Sequence, residues 1–327
     1  MHNNNIGHHT KLRRQHTVLQ PTNALKANRL IVITGPTGSG KSSLAIEVAQ
    51  HFGCEIISAD SRQIYKGIPI GTAAPTAQQL AAVPHHFVNT LELDQYYSAA
   101  QFEQDVIGLL PRLFEKSSTQ VMCGGSMMYV DAVTRGIDQL PTISAEVRQH
   151  AYSLYEQGGL ELLRTKLKAL DPEYYEVVDI NNHKRLIHAI EICIEAGTTY
   201  SSLRTGQIKP RDFDIVIFAI DYPRQQLYDR INQRVDAMIE QGLEQEAQSV
   251  YHLRHLNSLN TVGYKEMFAI FDGTMDRATA IARLAKNTRV YAKIQLTWLN
   301  NRPEIHRLNP NNPLLDQLLQ TLNQPFL

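Results

Sequence analysis

The chain has 327 residues, 43% of them hydrophobic, enough apolar material for one large domain with a smaller one attached. Lys and Arg together number 32, as do Asp and Glu, so any nucleic-acid-binding surface must be a local patch and not a global charge excess. Cys54, Cys123 and Cys193 stand far apart without C-x-x-C spacing, which excludes a cysteine-based zinc ribbon and fits a reducing, cytoplasmic setting.

In chain order, residues 1–28 come first: an Asn-rich leader with His2, His8, His9 and His16 and no apolar middle of a signal peptide. We expect it to be a disordered, mildly basic tail. No stretch approaches the length of a membrane helix. Residues 30–34 (LIVIT) form an apolar run ending in glycine, which predicts a buried strand. Residues 41–51 carry Leu44, Ile46 and Val48 at helical positions, closed by Gly53. Further strands are predicted over residues 55–59, leading into Asp60, over 120–123, leading into Gly124-Gly125-Ser126, and over 213–220, ending at Asp221. Strands alternating with helices predict an α/β fold, a P-loop NTPase-like parallel sheet whose ligands gather at the carboxyl ends of the strands. Between 136 and 206 the strand signal gives way to helical patterns, with Leu160, Leu163, Leu167 and Leu170 at steps of three and four and Leu186, Ile190 and Ile194 at steps of four. The core is therefore expected over 29–135 and 207–327, with a helical insertion domain over 136–206. Two long helices are predicted around 224–252 and 277–300.

Gly35-Pro36-Thr37-Gly38-Ser39-Gly40-Lys41-Ser42 fits G-x-x-x-x-G-K-[ST] between a predicted strand and a predicted helix. Glycines let backbone amides converge on phosphate oxygens, and the helix N-terminus adds a positive dipole. Lys41 supplies a cation, and the Ser42 hydroxyl is placed to hold Mg²⁺. A standard P-loop ATPase also has a later apolar strand ending in Asp. Here the run at 120–123 ends in Cys-Gly-Gly-Ser, which points away from ATP hydrolysis. Asp60 does end a strand, but Asp-Ser is also a good helix N-cap, and spacing alone leaves both roles open.

Several strings resemble the ordered motifs of bacterial tRNA dimethylallyltransferases: the glycine-rich loop, Ser58-Ala59-Asp60-Ser61-Arg62-Gln63-Ile64-Tyr65-Lys66-Gly67, Ile70-Gly71-Thr72-Ala73, Tyr97-Ser98-Ala99-Ala100 and Gly124-Gly125-Ser126. Thr261-Val262-Gly263-Tyr264-Lys265-Glu266, Thr288-Arg289-Val290-Tyr291-Ala292-Lys293 and Gln295-Leu296-Thr297-Trp298 extend the resemblance, which runs from about residue 30 to about 307. It implies transfer of a dimethylallyl group from dimethylallyl diphosphate to the exocyclic amine of the adenosine at tRNA position 37, next to the anticodon, with Mg²⁺. Diphosphate is the leaving group, so the loop, Lys41 and Mg²⁺ would stabilise charge that builds as the allylic C–O bond breaks. The resemblance makes Asp60 the general base, Ser126 a hydrogen-bonding partner of the diphosphate or the substrate, and Arg224 a diphosphate contact. Ser61, Arg62 and Gln63 become candidates to read the flipped base and its neighbours. Ser126 stands where the family usually has threonine. Ala74, Ile294 and Asn300 each stand where a cation is usual, and Lys184 and His188 replace glutamine and arginine.

Arg283, Lys286, Arg289 and Lys293 are spaced three, three and four and share one helix face, while Leu284, Tyr291, Ile294 and Trp298 line another. Lys265, Arg302 and Arg307 add cations nearby, and Arg148, Lys184, Arg185 and His188 do so in the insertion, as a tRNA-binding surface would. Competing readings are a small-molecule P-loop kinase, a transferase prenylating free AMP, ADP or ATP, and a non-catalytic RNA-binding module. A monomer is expected.

Overall fold

A computed structural model of the chain describes residues 28–324, so the expected leader lies, apart from Asn28, outside the described residues. The first part of the chain forms β1 (Arg29–Thr34), α1 (Lys41–Phe52), β2 (Ile56–Ser58), α2 (Pro69–Thr72), α3 (Ala77–Ala82), β3 (His85–His86), α4 (Ala99–Phe114), β4 (Thr119–Gly124) and α5 (Met127–Arg135). Four helices follow: α6 (Ala145–Leu170), α7 (Pro172–Tyr175), α8 (His183–Ala196) and α9 (Tyr200–Leu203). The chain then returns through β5 (Asp214–Ile220), α10 (Arg224–Glu240), α11 (Leu243–Ser249), α12 (Tyr264–Phe271), α13 (Arg277–Asn300), β6 (His306–Leu308) and α14 (Leu314–Asn323).

The strands form one sheet in the order β3-β2-β4-β1-β5-β6, with every pairing parallel. β1 lies in the interior of the sheet, which is why its sequence is apolar on both faces. Ile31 and Ile33 pack with Leu44 and Val48 of α1 and with Leu318 of α14. Leu30 and Val32 point to the other layer, against Phe102, Val106 and Leu110 of α4 and Val130 of α5. The four apolar runs of the sequence correspond to β1, β2, β4 and β5. β3 and β6 add two edge strands of two and three residues, too short to show a period.

One expectation is corrected: the helix predicted over 224–252 is two helices. Gly242 sits between α10 and α11 at φ 98°, a left-handed conformation that ends one helix and admits a turn before the next. In the region expected as the insertion, Ala151, Leu163 and Leu167 of α6 pack on Leu186, Ala189 and Ile190 of α8 as a core of their own. Gly159 interrupts α6 at φ 58°, ψ −147°.

The two chain segments that enter and leave these helices meet at Glu103 of α4. Its buried carboxylate accepts from Ile137 N (3.0 Å), from Lys209 Nζ (3.1 Å to each oxygen) and from Arg211 Nη2 (2.7 Å). Burial pushes this carboxyl up, but Arg211, the Ile137 amide and Lys209 outweigh it and hold the group below the ordinary range. Lys209 N also donates to Arg135 O (2.8 Å), closing the pair of segments.

After β1 the chain runs to β2 on one side of the sheet, and after β4 it runs to β5 on the other. These adjacent strands therefore diverge at their carboxyl ends, the arrangement that opens a crevice for ligand in parallel sheets.

Candidate active site

The glycine-rich loop leaves β1 at this crevice. Gly35, Gly38 and Gly40 take φ values of 140°, 80° and 83°, which side-chain-bearing residues rarely adopt. Gly38 is also crowded from α10, where a Cβ would stand 3.2 Å from Ile231, and Arg230 Nε donates to Gly38 O (2.8 Å). Ser39 is fully buried beneath the loop. Lys41 Nζ reaches back to Pro36 O (3.4 Å), and Ser42 follows in the first turn of α1. Burial holds the Lys41 ammonium below the ordinary lysine range, with Cys123 and Asp60 opposing and Arg234 reinforcing the shift. Cys123 occupies the place where a P-loop ATPase has its aspartate, and burial pushes its thiol up to about 11.

The acceptor side is built from the ends of β2 and β4. Gly124 lies against Ala59: a Cβ there would stand 2.0 Å from Ala59 O, so only glycine lets the two strand ends meet. Ala59 N donates to Cys123 O (2.8 Å), and Ser126 N donates to Ala59 O (3.2 Å). Asp60 emerges next to Ser126. Its Oδ1 accepts from Arg62 N (2.9 Å) and Gln63 N (3.3 Å), holding the turn that follows. Asp60 Oδ2 has no hydrogen-bond partner among the described residues. The capping geometry that spacing suggested is thus present on one oxygen, and the other remains available. Ser126 Oγ accepts from Ser61 N (2.8 Å) and lies 3.2 Å from Ser61 Oγ.

These parts line one cavity of about 420 Å³. Thr37, Lys41 and Ser42 come from the loop, and Asp60, Ser61, Arg62, Gln63 and Ser126 from the strand ends. Lys41, Arg62, Arg234 and Lys265 are cationic, and Asp60 is the only carboxylate among the lining residues. Such a cavity favours an anion with one basic group at its side.

Several expected residues stand elsewhere or are otherwise engaged. Arg224 is exposed at the start of α10, donates to Tyr228 Oη (3.0 Å) and does not line the cavity. Arg234, nearly three turns further along the same helix, does. Burial pulls its guanidinium down, against the attraction of Asp60. The Gln63 amide is taken by protein partners: Nε2 donates to Thr72 O (3.2 Å) and Ala73 O (3.0 Å), and Oε1 lies 3.2 Å from Ser58 Oγ. Gln63 lines the cavity with its amide held by these wall groups. Arg62 donates to Asn257 O (2.8 Å) and Ser258 O (3.2 Å). On α13, Leu284 is buried and Trp298 partly so, but Tyr291 and Ile294 are exposed, and Tyr291 lines the cavity. The expected apolar face is therefore split in two. Arg289 donates to Asn232 Oδ1 (2.5 Å), while Lys293, Arg283 and Lys286 are exposed. Arg302 pairs with Asp131 (2.7 Å) and stacks over Trp298, and Arg307 donates to Leu299 O (2.7 Å), which places both in the scaffold. Arg148, Lys184, Arg185 and His188 are exposed on α6 and α8, outside the cavity.

The 261–266 string serves the same wall. Tyr264 is fully buried and donates to Glu246 Oε1 (2.5 Å), whose carboxylate also accepts from Ile70 N (2.8 Å) and Gly71 N (2.7 Å). A Cβ on Gly71 would stand 2.6 Å from the Tyr264 ring. Glu266 accepts from Gly263 N (2.8 Å) and Asn287 Nδ2 (2.6 Å), tying α12 to α13.

The family model described as IPP transferase matches residues 63–302. The chain is 51% identical over 282 residues to tRNA dimethylallyltransferase 1 of Phocaeicola vulgatus, covering 86% of this chain and 94% of that protein. The chain belongs to the IPP transferase family, that of the tRNA dimethylallyltransferases. It is equally 51% identical over 286 residues to tRNA dimethylallyltransferase 1 of Bacteroides fragilis, covering 88% and 95% of the two chains. The crystal structure of the tRNA isopentenylpyrophosphate transferase of Bacillus halodurans superposes with a TM-score of 0.67 at 31% identity, over 90% of this chain and 95% of that one. A eukaryotic dimethylallyltransferase acting on tRNA shares the fold, with a TM-score of 0.77 at 24% identity over 91% and 81% of the chains. In this member of the tRNA dimethylallyltransferase family, Arg234 carries a signal in the sequence of α10. Arg234 follows the buried positions Leu227 and Ile231 at helical spacing, and a cation on the buried stripe of a helix asks for an anionic partner.

Proposed function

We propose that this protein transfers a dimethylallyl group from dimethylallyl diphosphate to the exocyclic amine of the adenosine at tRNA position 37, releasing diphosphate. The observation that carries the reading is a single carboxylate, Asp60, in a cavity lined by Lys41, Arg62, Arg234 and Lys265 and bounded by a glycine-rich phosphate loop. The allylic C1–O bond breaks, and its electron pair leaves with diphosphate. The amine nitrogen forms a bond to C1, and its proton passes to Asp60 Oδ2. Lys41, the loop amides and Arg234 face the charge that grows on the leaving group. Adenine's amine is a weak nucleophile because its lone pair is delocalised, so a hydrogen-bonded carboxylate both orients it and removes its proton.

A Mg²⁺ ion fits the donor set. The Ser42 hydroxyl lines the cavity without an acidic cluster beside it, and Mg²⁺ characteristically takes few protein ligands, completing its shell with phosphate oxygens and water. Ser42 would hold it, and it would neutralise diphosphate charge. The exposed cations of α13 and of the insertion supply phosphate contacts for the RNA. No helix among the described residues is long and apolar enough to cross a membrane.

The test is to incubate the protein with dimethylallyl diphosphate and Mg²⁺ and either unmodified tRNA or AMP, then to weigh the nucleosides by mass spectrometry. A prenylated adenosine from tRNA is expected. Product from AMP alone would overturn the tRNA assignment, and no prenylated product from either would overturn the transferase assignment.

A further inference from the structure

Gln295 lies on α13 yet is only 3% exposed, in a helix whose other buried positions are Ala280, Leu284, Ala292 and Leu299. A primary amide in that stripe needs partners, and it has two from distant parts of the chain. Its Oε1 accepts from Thr37 N in the phosphate loop (3.0 Å), and its Nε2 donates to Gly125 O in the turn after β4 (2.8 Å). One planar group therefore spans the gap between the phosphate cradle and the turn that carries Ser126. Thr37 offers a donor and Gly125 an acceptor, so only a side chain with one of each satisfies both. The contact is close: a Cβ on Gly125 would stand 2.6 Å from Gln295 Nε2, 3.3 Å from Gly35 O and 3.6 Å from Lys41 Cε. The Gly125 backbone is thus wedged between the amide, the loop and the loop's lysine. Ser126, the next residue, holds the backbone of Ser61, which follows Asp60.

Gln295 also removes the Thr37 N–H from the donors the loop turns to phosphate, so its function is not to enlarge the cradle. What it fixes is the separation of the two halves of the site. On one side the loop holds the leaving group, and on the other Asp60 and Ser126 face the nucleophile. We propose that Gln295 is a positioning residue for prenyl transfer, setting the distance between the diphosphate and the amine. This rests on the transferase reading above. An error of about 1 Å in such an alignment costs on the order of 10²-fold in rate.

Two variants test it. Gln295→Met keeps length and loses both hydrogen bonds. Gln295→Glu keeps the acceptor for Thr37 N–H and sets a carboxylate oxygen against Gly125 O. Each is compared with wild type for melting temperature, tRNA affinity, kcat at saturating tRNA and dimethylallyl diphosphate, and the ratio of prenylated tRNA to dimethylallyl alcohol. The alcohol forms when water, in place of the amine, takes the allylic carbon and gives up its proton. Folded variants should bind tRNA within about threefold of wild type, lose about 10²-fold in kcat, and shift the product ratio towards the alcohol, the signature of lost alignment. A lower melting temperature with kcat and product ratio unchanged in the folded fraction would overturn the proposal and leave Gln295 a packing residue. If one variant does not fold, the other decides. Wild type failing to prenylate tRNA would instead overturn the transferase reading, so the two failures are told apart.

Discussion

Oδ1 of Asp60 is engaged by the amides of Arg62 and Gln63, which leaves Oδ2 to meet the amine of a bound adenine. Asp60→Asn keeps the Oδ1 bonds and removes the base. Turnover at saturating substrates should fall by about 10²–10⁴-fold, with the melting temperature and the affinity for both substrates nearly unchanged. A folded variant turning over within about threefold of wild type would leave Asp60 as a turn-former and nothing more. Arg224 and Arg234 of α10 separate just as cleanly. Arg234 lines the cavity, whereas Arg224 leans on Tyr228 in solvent. A charge-assisted hydrogen bond contributes about 1.5–3 kcal/mol, so Arg234→Ala should weaken binding of inorganic diphosphate by about 10- to 100-fold. Arg224→Ala should change it by less than about twofold. Titration calorimetry on both variants checks the pair, and equal losses would contradict the placement.

Helix α13 turns one stripe, Leu284, Thr288, Tyr291 and Gln295, to the cavity, and shows Arg283, Lys286 and Lys293 to solvent. Reversing the charge of Arg289 and Lys293 together should flatten the dependence of log K on log salt for tRNA by about 1–2, since each lost phosphate contact releases about one counterion fewer. An unchanged slope would make the stripe a solvated face. The bounds of α13 and the runs of β1, β2, β4 and β5 were legible because period and apolarity are local properties. The break at Gly242 was not, because the polar and apolar pattern continues across it while the backbone turns. Neither were the partners of Gln295 and Gln63, whose side chains read as ordinary amides until distant or turn-buried backbone groups are brought to them. Arg234 could have been found, as a charge on an apolar stripe. The resemblance points to Arg224 instead, which lies directly after a strand but at the outer, exposed end of the helix.

For the molecule as a whole, the helices α6–α9 are joined to the sheet through the segments around Ile137 and 209–211, and Glu103 grips both. Glu103→Gln leaves Lys209 and Arg211 facing a neutral amide in a buried place. We expect a loss of about 3 kcal/mol, the lower end of what breaking a buried ion pair costs. The pH dependence follows in sign. Glu103 is held below its ordinary value in the folded protein, so its contribution is complete above the unfolded carboxyl's pKa of about 4.3 and fades as pH falls through the lower folded value. The stability gap between wild type and Glu103→Gln should therefore be constant near neutrality and shrink in acid. Denaturant melts across that range measure it, and a gap that widens in acid would contradict the clamp.

The same clamp has an architectural corollary. Because Lys209 N bonds to Arg135 O and both segments converge on Glu103, everything from 138 to 208 hangs from a closed mouth, and the sheet meets it only as a loop of fixed span. Closing such a loop changes by only about 0.6 kcal/mol for each doubling of its length. The helices beyond the mouth can therefore be lengthened, trimmed or regrafted with little consequence for the phosphate loop and Asp60. Insertions and deletions between 138 and 208 can accumulate while the strand ends that carry Asp60 and the glycine-rich loop keep their spacing.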